Sequence, residues 1–121
     1  MALVAPVAYL EKSDFTQSGE LNPKLKSKPI FVMIQADYCG HCRSSKPAFQ
    51  MLANEGLITC MTIQADGQRQ SERDLVPMLD VIYPGDFRGF PSYLLFINNK
   101  KVAYTGGRTY AEMKQFVSAY V

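Results

Sequence analysis

Cys39-Gly40-His41-Cys42 follows an apolar run and opens a helical stretch, and that placement narrows the folds open to this chain. The run Ile30-Phe31-Val32-Met33-Ile34 is β-branched and aromatic enough for a buried strand. From Arg43 to Glu55, the residues Pro47, Ala48, Met51 and Leu52 fall at roughly helical spacing. Two thiols three positions apart at a helix start can close a small disulfide ring or present one activated thiolate. A Cys-x-x-Cys at a strand-to-helix junction reads as a redox motif rather than a zinc knuckle. A structural zinc normally takes four ligands, and Cys39, His41 and Cys42 are crowded. Neither a metal nor a cofactor is expected.

The chain has 121 residues, enough for one domain, 1–121, that buries about two-thirds of its unfolded surface. A net charge of +2 is too small to argue for nucleic acid or acidic lipid as a partner, and Lys24, Lys26 and Lys28 read as a solvated face. No apolar stretch approaches the ~20 residues needed to span a membrane. A monomer is expected. Cys60 stands alone inside Leu57–Ile63 and reads as a small buried strand residue. Met1 to Leu10 has no basic start and contains Pro6, which makes a poor signal peptide, and Ser118–Val121 carries no retrieval signal. A cytoplasmic, reducing setting is therefore the expectation unless the chain is a processed fragment.

Turn and cap signals divide the rest. A short strand is predicted over Val7–Leu10, with helix-start signals at Ser13-Asp14 and Asn22-Pro23 bounding at most a short helix. Then come the strand Ile30–Gln35 and a helix from about Cys39 to Glu55, stopped by Gly56 and kinked by Pro47 with a break near Arg43. Leu57–Gln64 is the next strand. Ser71-Glu72-Arg73-Asp74 starts a third helix running to about Leu79. Tyr93–Ile97 and Val102–Tyr104 form a hairpin through Asn98-Asn99. Thr109 with Glu112 is a capping box for a last helix whose apolar stripe is Met113, Phe116, Val117 and Tyr120. The order β-α-β-α-β-α-β-β-α gives an α/β fold, a central mixed sheet with helices on both faces. Cys39 then lies at the carboxyl end of a central strand, where open α/β sheets place their chemistry.

That chemistry needs a thiolate, and helix amino-terminal amides supply positive charge next to Cys39. Cys39, first in the motif, should be the more exposed sulfur, and Cys42, one turn inside, should resolve a mixed disulfide. Gly40 would let the backbone turn tightly between them. His41 is the only histidine. Between two sulfurs its imidazolium would stabilise the dithiol and make the disulfide a stronger oxidant; a solvated loop histidine is the other reading.

Two further segments complete a resemblance. Asp37-Tyr38-Cys39-Gly40-His41-Cys42, Pro47, Arg88-Gly89-Phe90-Pro91-Ser92-Tyr93-Leu94-Leu95-Phe96 and Tyr104-Thr105-Gly106-Gly107-Arg108-Thr109 resemble the thioredoxin superfamily. The likeness is to the catalytic domains of protein disulfide isomerases, which carry Cys-Gly-His-Cys; thioredoxins usually have Pro in place of His41. It implies the thioredoxin fold and a thiol–disulfide oxidoreductase that exchanges disulfides with protein substrates and with a redox donor or acceptor. It implies also a cis Phe90–Pro91 bond facing the dithiol, a Phe90 backbone that pairs with an extended substrate, and an Arg108 that swings toward Cys42. Tyr38, in place of a Trp, and Phe90 would form an aromatic rim, or simply pack.

Two departures stand out. Family members keep a buried carboxylate where this chain has Met33, and its lysine partner falls near Thr62 when Asp66 is aligned. Losing both avoids an unpaired buried charge and predicts slower proton transfer at Cys42. Asp66 to Pro91 is also about ten residues longer than in a minimal thioredoxin by that resemblance. The extra stretch, Leu75–Phe87, is either added core or a partner surface. A thioredoxin-fold binding module with little or no turnover is the alternative these departures raise.

Overall fold

In the strand β2 (Ile30–Gln35) side chains alternate: Phe31 and Met33 enter one core cluster, while Ile30, Val32 and Ile34 enter another. A strand buried along its whole length on both faces must lie inside a sheet covered on both sides. The computed structural model, which describes residues 1–121, places it there. Five strands lie in the order β1-β3-β2-β4-β5, with β1 (Ala8–Tyr9), β3 (Thr59–Gln64) and β2 parallel. Strand β4 (Ser92–Ile97) runs antiparallel to β2, and β5 (Lys100–Tyr104) antiparallel to β4. The α/β arrangement with a mixed central sheet is the expected one.

Helix α1 (Gly40–Glu55) packs with α4 (Tyr110–Ser118) on the face that holds Phe31, Met33, Cys42, Phe49 and Met113. The opposite face is covered by the segment between β1 and β2 and by α2 (Gln70–Arg73) and α3 (Leu79–Ile82), with Leu21, Leu75, Leu79 and Ile82 buried. The lengthened Leu75–Phe87 stretch therefore supplies core.

Several boundaries differ from the sequence reading. No α-helix joins β1 to β2; 3-10 turns at Lys12–Asp14 and Pro23–Leu25 do, the second capped by Asn22 accepting from the Lys24 amide at 3.1 Å. Between them Phe15 bridges Leu21, and Gly19 turns the chain at φ +84°. A side chain at Gly19 would meet the Val81 carbonyl, so that turn needs glycine for space as well as for φ. Strand β1 is shorter than expected because the Val7 amide turns back to the Val4 carbonyl at 3.0 Å. Helix α1 runs uninterrupted through Pro47 instead of breaking near Arg43. Its buried face, including Phe49, Leu52 and Ala53, outweighs the one hydrogen bond proline removes.

The third helix is split, not continuous. It consists of α2, a 3-10 turn at Val76–Met78 and α3, with Pro77 lying in the turn. Ser71 is not its cap; Arg69 is, with the Glu72 carboxylate reaching back to the Arg69 amide at 3.2 Å. The hairpin is as expected at its turn, where Asn98 (φ 49°) and Asn99 (φ 63°) take the left-handed backbone of a two-residue loop. So tight a loop starts the ladder at once, Ile97 opposite Lys100, and β5 begins before Val102. Thr109 caps α4 by accepting from the Glu112 amide at 3.2 Å, but its hydroxyl also donates to the Glu112 carboxylate at 2.6 Å. Tyr120 lies past the end of α4, so the buried stripe is Met113 and Val117 with Phe116 partly covered.

Candidate functional site

Strand β2 ends at Gln35, and the chain turns through Ala36, Asp37 and Tyr38 before α1 begins. The Asp66 carboxylate after β3 fixes that turn, accepting from the Asp37 amide at 2.9 and 3.1 Å and from the Gln64 side chain at 3.1 Å. Partial burial pushes the Asp66 carboxyl up, but these donors outweigh it and leave it below its ordinary 3.8. Arg43 ties the other side by donating to the Asp37 carbonyl at 2.7 Å.

Cys39 is the N-cap of α1 and is half-buried. Its Sγ accepts the Cys42 amide at 3.2 Å, the arrangement by which helix amino ends hold anions. The same sulfur lies 3.6 Å from the Phe90 carbonyl. The Phe90–Pro91 bond is cis, and Pro91 is buried beside the site. Tyr38 is 69% exposed and meets the Phe90 ring edge-on at 6.3 Å; Phe90 in turn meets Phe87 at 5.7 Å. These rings both pack and border the sulfur.

Cys42 is fully buried one turn inside. Burial, reinforced by its hydrogen bond with Cys39, pushes its thiol up to about 12, while the Ala36 backbone and, to a smaller extent, the Lys46 ammonium pull the other way. Gly40 keeps an ordinary backbone, and a Cβ there would touch only the Arg43 side chain at 3.7 Å. The expected tight turn at Gly40 is therefore not required, because Cys39 and Cys42 are already joined by the first turn of a regular helix. His41 is exposed on that turn. Arg108 is exposed too, at the rim of a cavity that Pro91 and Tyr93 also line, and its charge bears on the Tyr93 phenol.

Met33 and Thr62 are register partners, both fully buried. The Thr62 hydroxyl donates to the Met33 carbonyl at 2.8 Å and accepts from Gln35 at 3.2 Å, so no charge is stranded there. Two residues near the site went unnoticed in the sequence. Lys46 is 1% exposed, its ammonium on Asp37 at 2.7 Å, and Asp37 is 62% exposed. Lys46 follows Cys42 by four positions, and helical side chains lean toward the amino end, which was the available signal. Tyr93 is the other, and its hydroxyl is buried without a partner.

Cys60 is buried as expected, and burial pushes its thiol up to about 12 as well. The two buried thiols set a pH dependence. Each keeps its proton in the folded chain above the ordinary 9.0 at which the unfolded chain releases it. Their contribution to stability is complete below pH 9.0 and is lost as pH rises toward 12. The reduced protein's urea midpoint is expected to fall across that range, and to fall less steeply once Cys39 and Cys42 are joined; an alkaline-insensitive midpoint would contradict the burial of these groups.

No group of three or more His, Cys, Asp or Glu side chains is gathered as a metal site, and no helix is long and apolar enough to cross a membrane. Comparison with known proteins adds the relationships. A family model described as thioredoxin matches residues 7–119. The thioredoxin-like protein 453L of Invertebrate iridescent virus 6 is 36% identical over 93% of this chain and 92% of its own length. Protein disulfide isomerase-like 1-4 of Arabidopsis thaliana is 28% identical over 85% of this chain, which spans only 15% of that protein. In fold, the J-Trx1 fragment of ERdj5 superposes with a TM-score of 0.70 at 22% identity, over 94% of this chain and 51% of that one. Thioredoxin f2 of Chlamydomonas reinhardtii gives 0.67 at 19% identity, over 94% and 95%.

Proposed function

Because this chain belongs to the thioredoxin family, we propose that it is a thiol–disulfide oxidoreductase acting on protein substrates, with Cys39 as nucleophile and Cys42 as resolving thiol. The observation that carries the reading is the asymmetry of the pair. Cys39 Sγ is half-exposed at the amino end of α1, on the Cys42 amide and beside Phe90 and Pro91, while Cys42 is wholly enclosed.

In the reductive direction the Cys39 thiolate attacks one sulfur of a substrate disulfide, and the other leaves as a thiolate that takes a proton from solvent. Cys42, deprotonated, then attacks Cys39 Sγ. The mixed disulfide breaks, the second substrate sulfur leaves, and the two electrons gained by the substrate are those lost by the Cys39–Cys42 pair. Oxidation of a dithiol is the reverse. An extended substrate segment would pair with the Phe90 backbone, as an added strand does, with Tyr38 and Phe90 providing apolar contact. In a reducing compartment such a protein works as a reductase.

The test is turnover of insulin disulfides with dithiothreitol, together with equilibration of the Cys39–Cys42 couple against glutathione. Catalysis is expected. A potential near ~−180 mV, the protein disulfide isomerase end, is the result if His41 stabilises the dithiol, and one near ~−270 mV, the thioredoxin end, if it does not. No turnover and no exchange with glutathione would leave a binding module.

A further inference from the structure

We propose that the cleft beside Pro91 seats an acidic side chain of the substrate, so that this protein selects polypeptides carrying Asp or Glu near the reacting cysteine. The inference deepens the thiol–disulfide reading above and rests on it.

It starts from two arginines that the fold does not use. The chain has five, and Arg43, Arg69 and Arg73 each donate to groups of the protein. Arg88 and Arg108 are exposed and donate to none. Twenty positions apart in the sequence, both line one open cleft of about 540 Å³, together with Pro91. That volume is ample for a side chain, since whole small-molecule sites run ~300–1,000 Å³. Pro91 joins the cleft to the chemistry: the residue before it is Phe90, whose carbonyl lies 3.6 Å from Cys39 Sγ.

The backbone under each arginine is held while the guanidinium group is free. The Ser92 hydroxyl donates to the Gly89 carbonyl at 2.5 Å, and Phe87 packs edge-on against Tyr83 and Phe90 at 5.9 and 5.7 Å. Those contacts fix the turn that carries Arg88. The Tyr104 hydroxyl donates to the Gly107 carbonyl at 2.5 Å, and Thr109 caps α4, which fixes the turn that carries Arg108. Ser92 and Tyr104 line the same cleft, so their hydroxyls are spent on the fold and the two arginines are not. A backbone set in advance lowers the cost of binding.

Charge decides what the cleft takes. Asp86 is the one acid on its lining, so two positive charges stand against one negative. The planar guanidinium fork matches a carboxylate with two parallel hydrogen bonds. One exposed ion pair adds little, but two arginines on one cleft act together and also steer the approach of an anion. A substrate segment extended along Phe90 turns every second side chain to the same side, about 6.6 Å apart. An acid two residues from the substrate cysteine then faces the cleft while the cysteine faces Cys39.

The test uses peptides of equal length, each with one cysteine joined to thiopyridine by a disulfide and with aspartate, serine or lysine two residues to either side. Cys39 attacks the peptide sulfur, the S–S bond breaks, and the absorbing thiopyridine leaves with the electron pair. Each rate is divided by that of the same peptide with mercaptoethanol, which removes the peptide's own reactivity. The expected aspartate-to-lysine ratio is about five- to thirtyfold at low salt, with serine between, and falls toward one in about 1 M salt. Arg88→Gln with Arg108→Gln brings the low-salt ratio to within about twofold of one. The ratio compares two peptides on one protein, so a general loss of rate cancels. Asp86→Asn raises it. A ratio within about twofold of one for the unaltered protein overturns the proposal, as does a preference that survives in the double variant. If the double variant does not fold, Asp86→Asn decides, and a ratio that fails to rise overturns the proposal. No thiopyridine release from any peptide would overturn the oxidoreductase reading itself, a failure distinct from a lack of preference.

Discussion

Cys39→Ser is expected to lower insulin-disulfide turnover about a thousandfold or more, whereas Cys42→Ser keeps the first exchange and accumulates a mixed disulfide. A serine hydroxyl offers no thiolate and cannot form an S–S bond, so losing the leading sulfur removes the covalent step rather than weakening it. Cys42 cannot take over. It is fully buried, and its thiol is pushed up to about 12, so at neutral pH it presents neither an accessible sulfur nor an appreciable thiolate. In Cys42→Ser, Cys39 keeps its place as N-cap, and the amide at position 42 still points at its sulfur, so attack proceeds and resolution fails. Intact mass after mixing with a disulfide substrate should show the adduct. Turnover that survives Cys39→Ser, or an absent adduct in Cys42→Ser, would reverse the assigned roles.

Phe31→Ala is expected to cost roughly 3–5 kcal/mol, a large part of the ~5–15 kcal/mol typical of a domain this size. The ring is fully buried and touches both layers of its side of the sheet. Phe49 of α1 and Tyr93 of β4 lie 5.8 Å from it, and Tyr104 and Phe116 lie 6.0 Å away. Removing it opens a cavity between the central strand and the two helices that carry and brace the dithiol, and aromatic neighbours of this size cannot collapse into it fully. The drop should appear in the urea midpoint with little change in slope. A loss below about 1 kcal/mol would mean that the core under the site is organised differently.

Features with a local physical cause were legible in the sequence. The Cys-x-x-Cys needed only an apolar strand before it and a helix after it. The alternation in Ile30–Gln35 required a two-sided core, Asn98-Asn99 required a left-handed turn, and Thr109 required a helix to cap. Where tertiary contacts override local signals, reading failed. Residues 12–25 carry helix-start signals but are spent covering Val32 and Ile34, so they settle into turns around Phe15 and Leu21. Pro47 reads as a breaker, yet α1 is pinned along one face and runs on. Ser71 looks like a cap, but the buried Glu72 carboxylate, held by Arg69, sets the start of α2. The polar groups around Cys42 were harder still. Lys46 reads as a surface cation and Tyr93 as an ordinary strand aromatic; only the packing of α1 against β4 shows that both are enclosed near the second sulfur.

The most direct test is to ask which sulfur reacts. Reduced, folded protein is treated with a limiting amount of iodoacetamide at neutral pH, and the labelled peptides are identified by mass. Label is expected on Cys39 almost alone, with Cys42 and Cys60 modified only after unfolding. Comparable label on Cys42 or Cys60 in the folded protein would contradict a site in which the sulfur capping α1 is the one presented for attack.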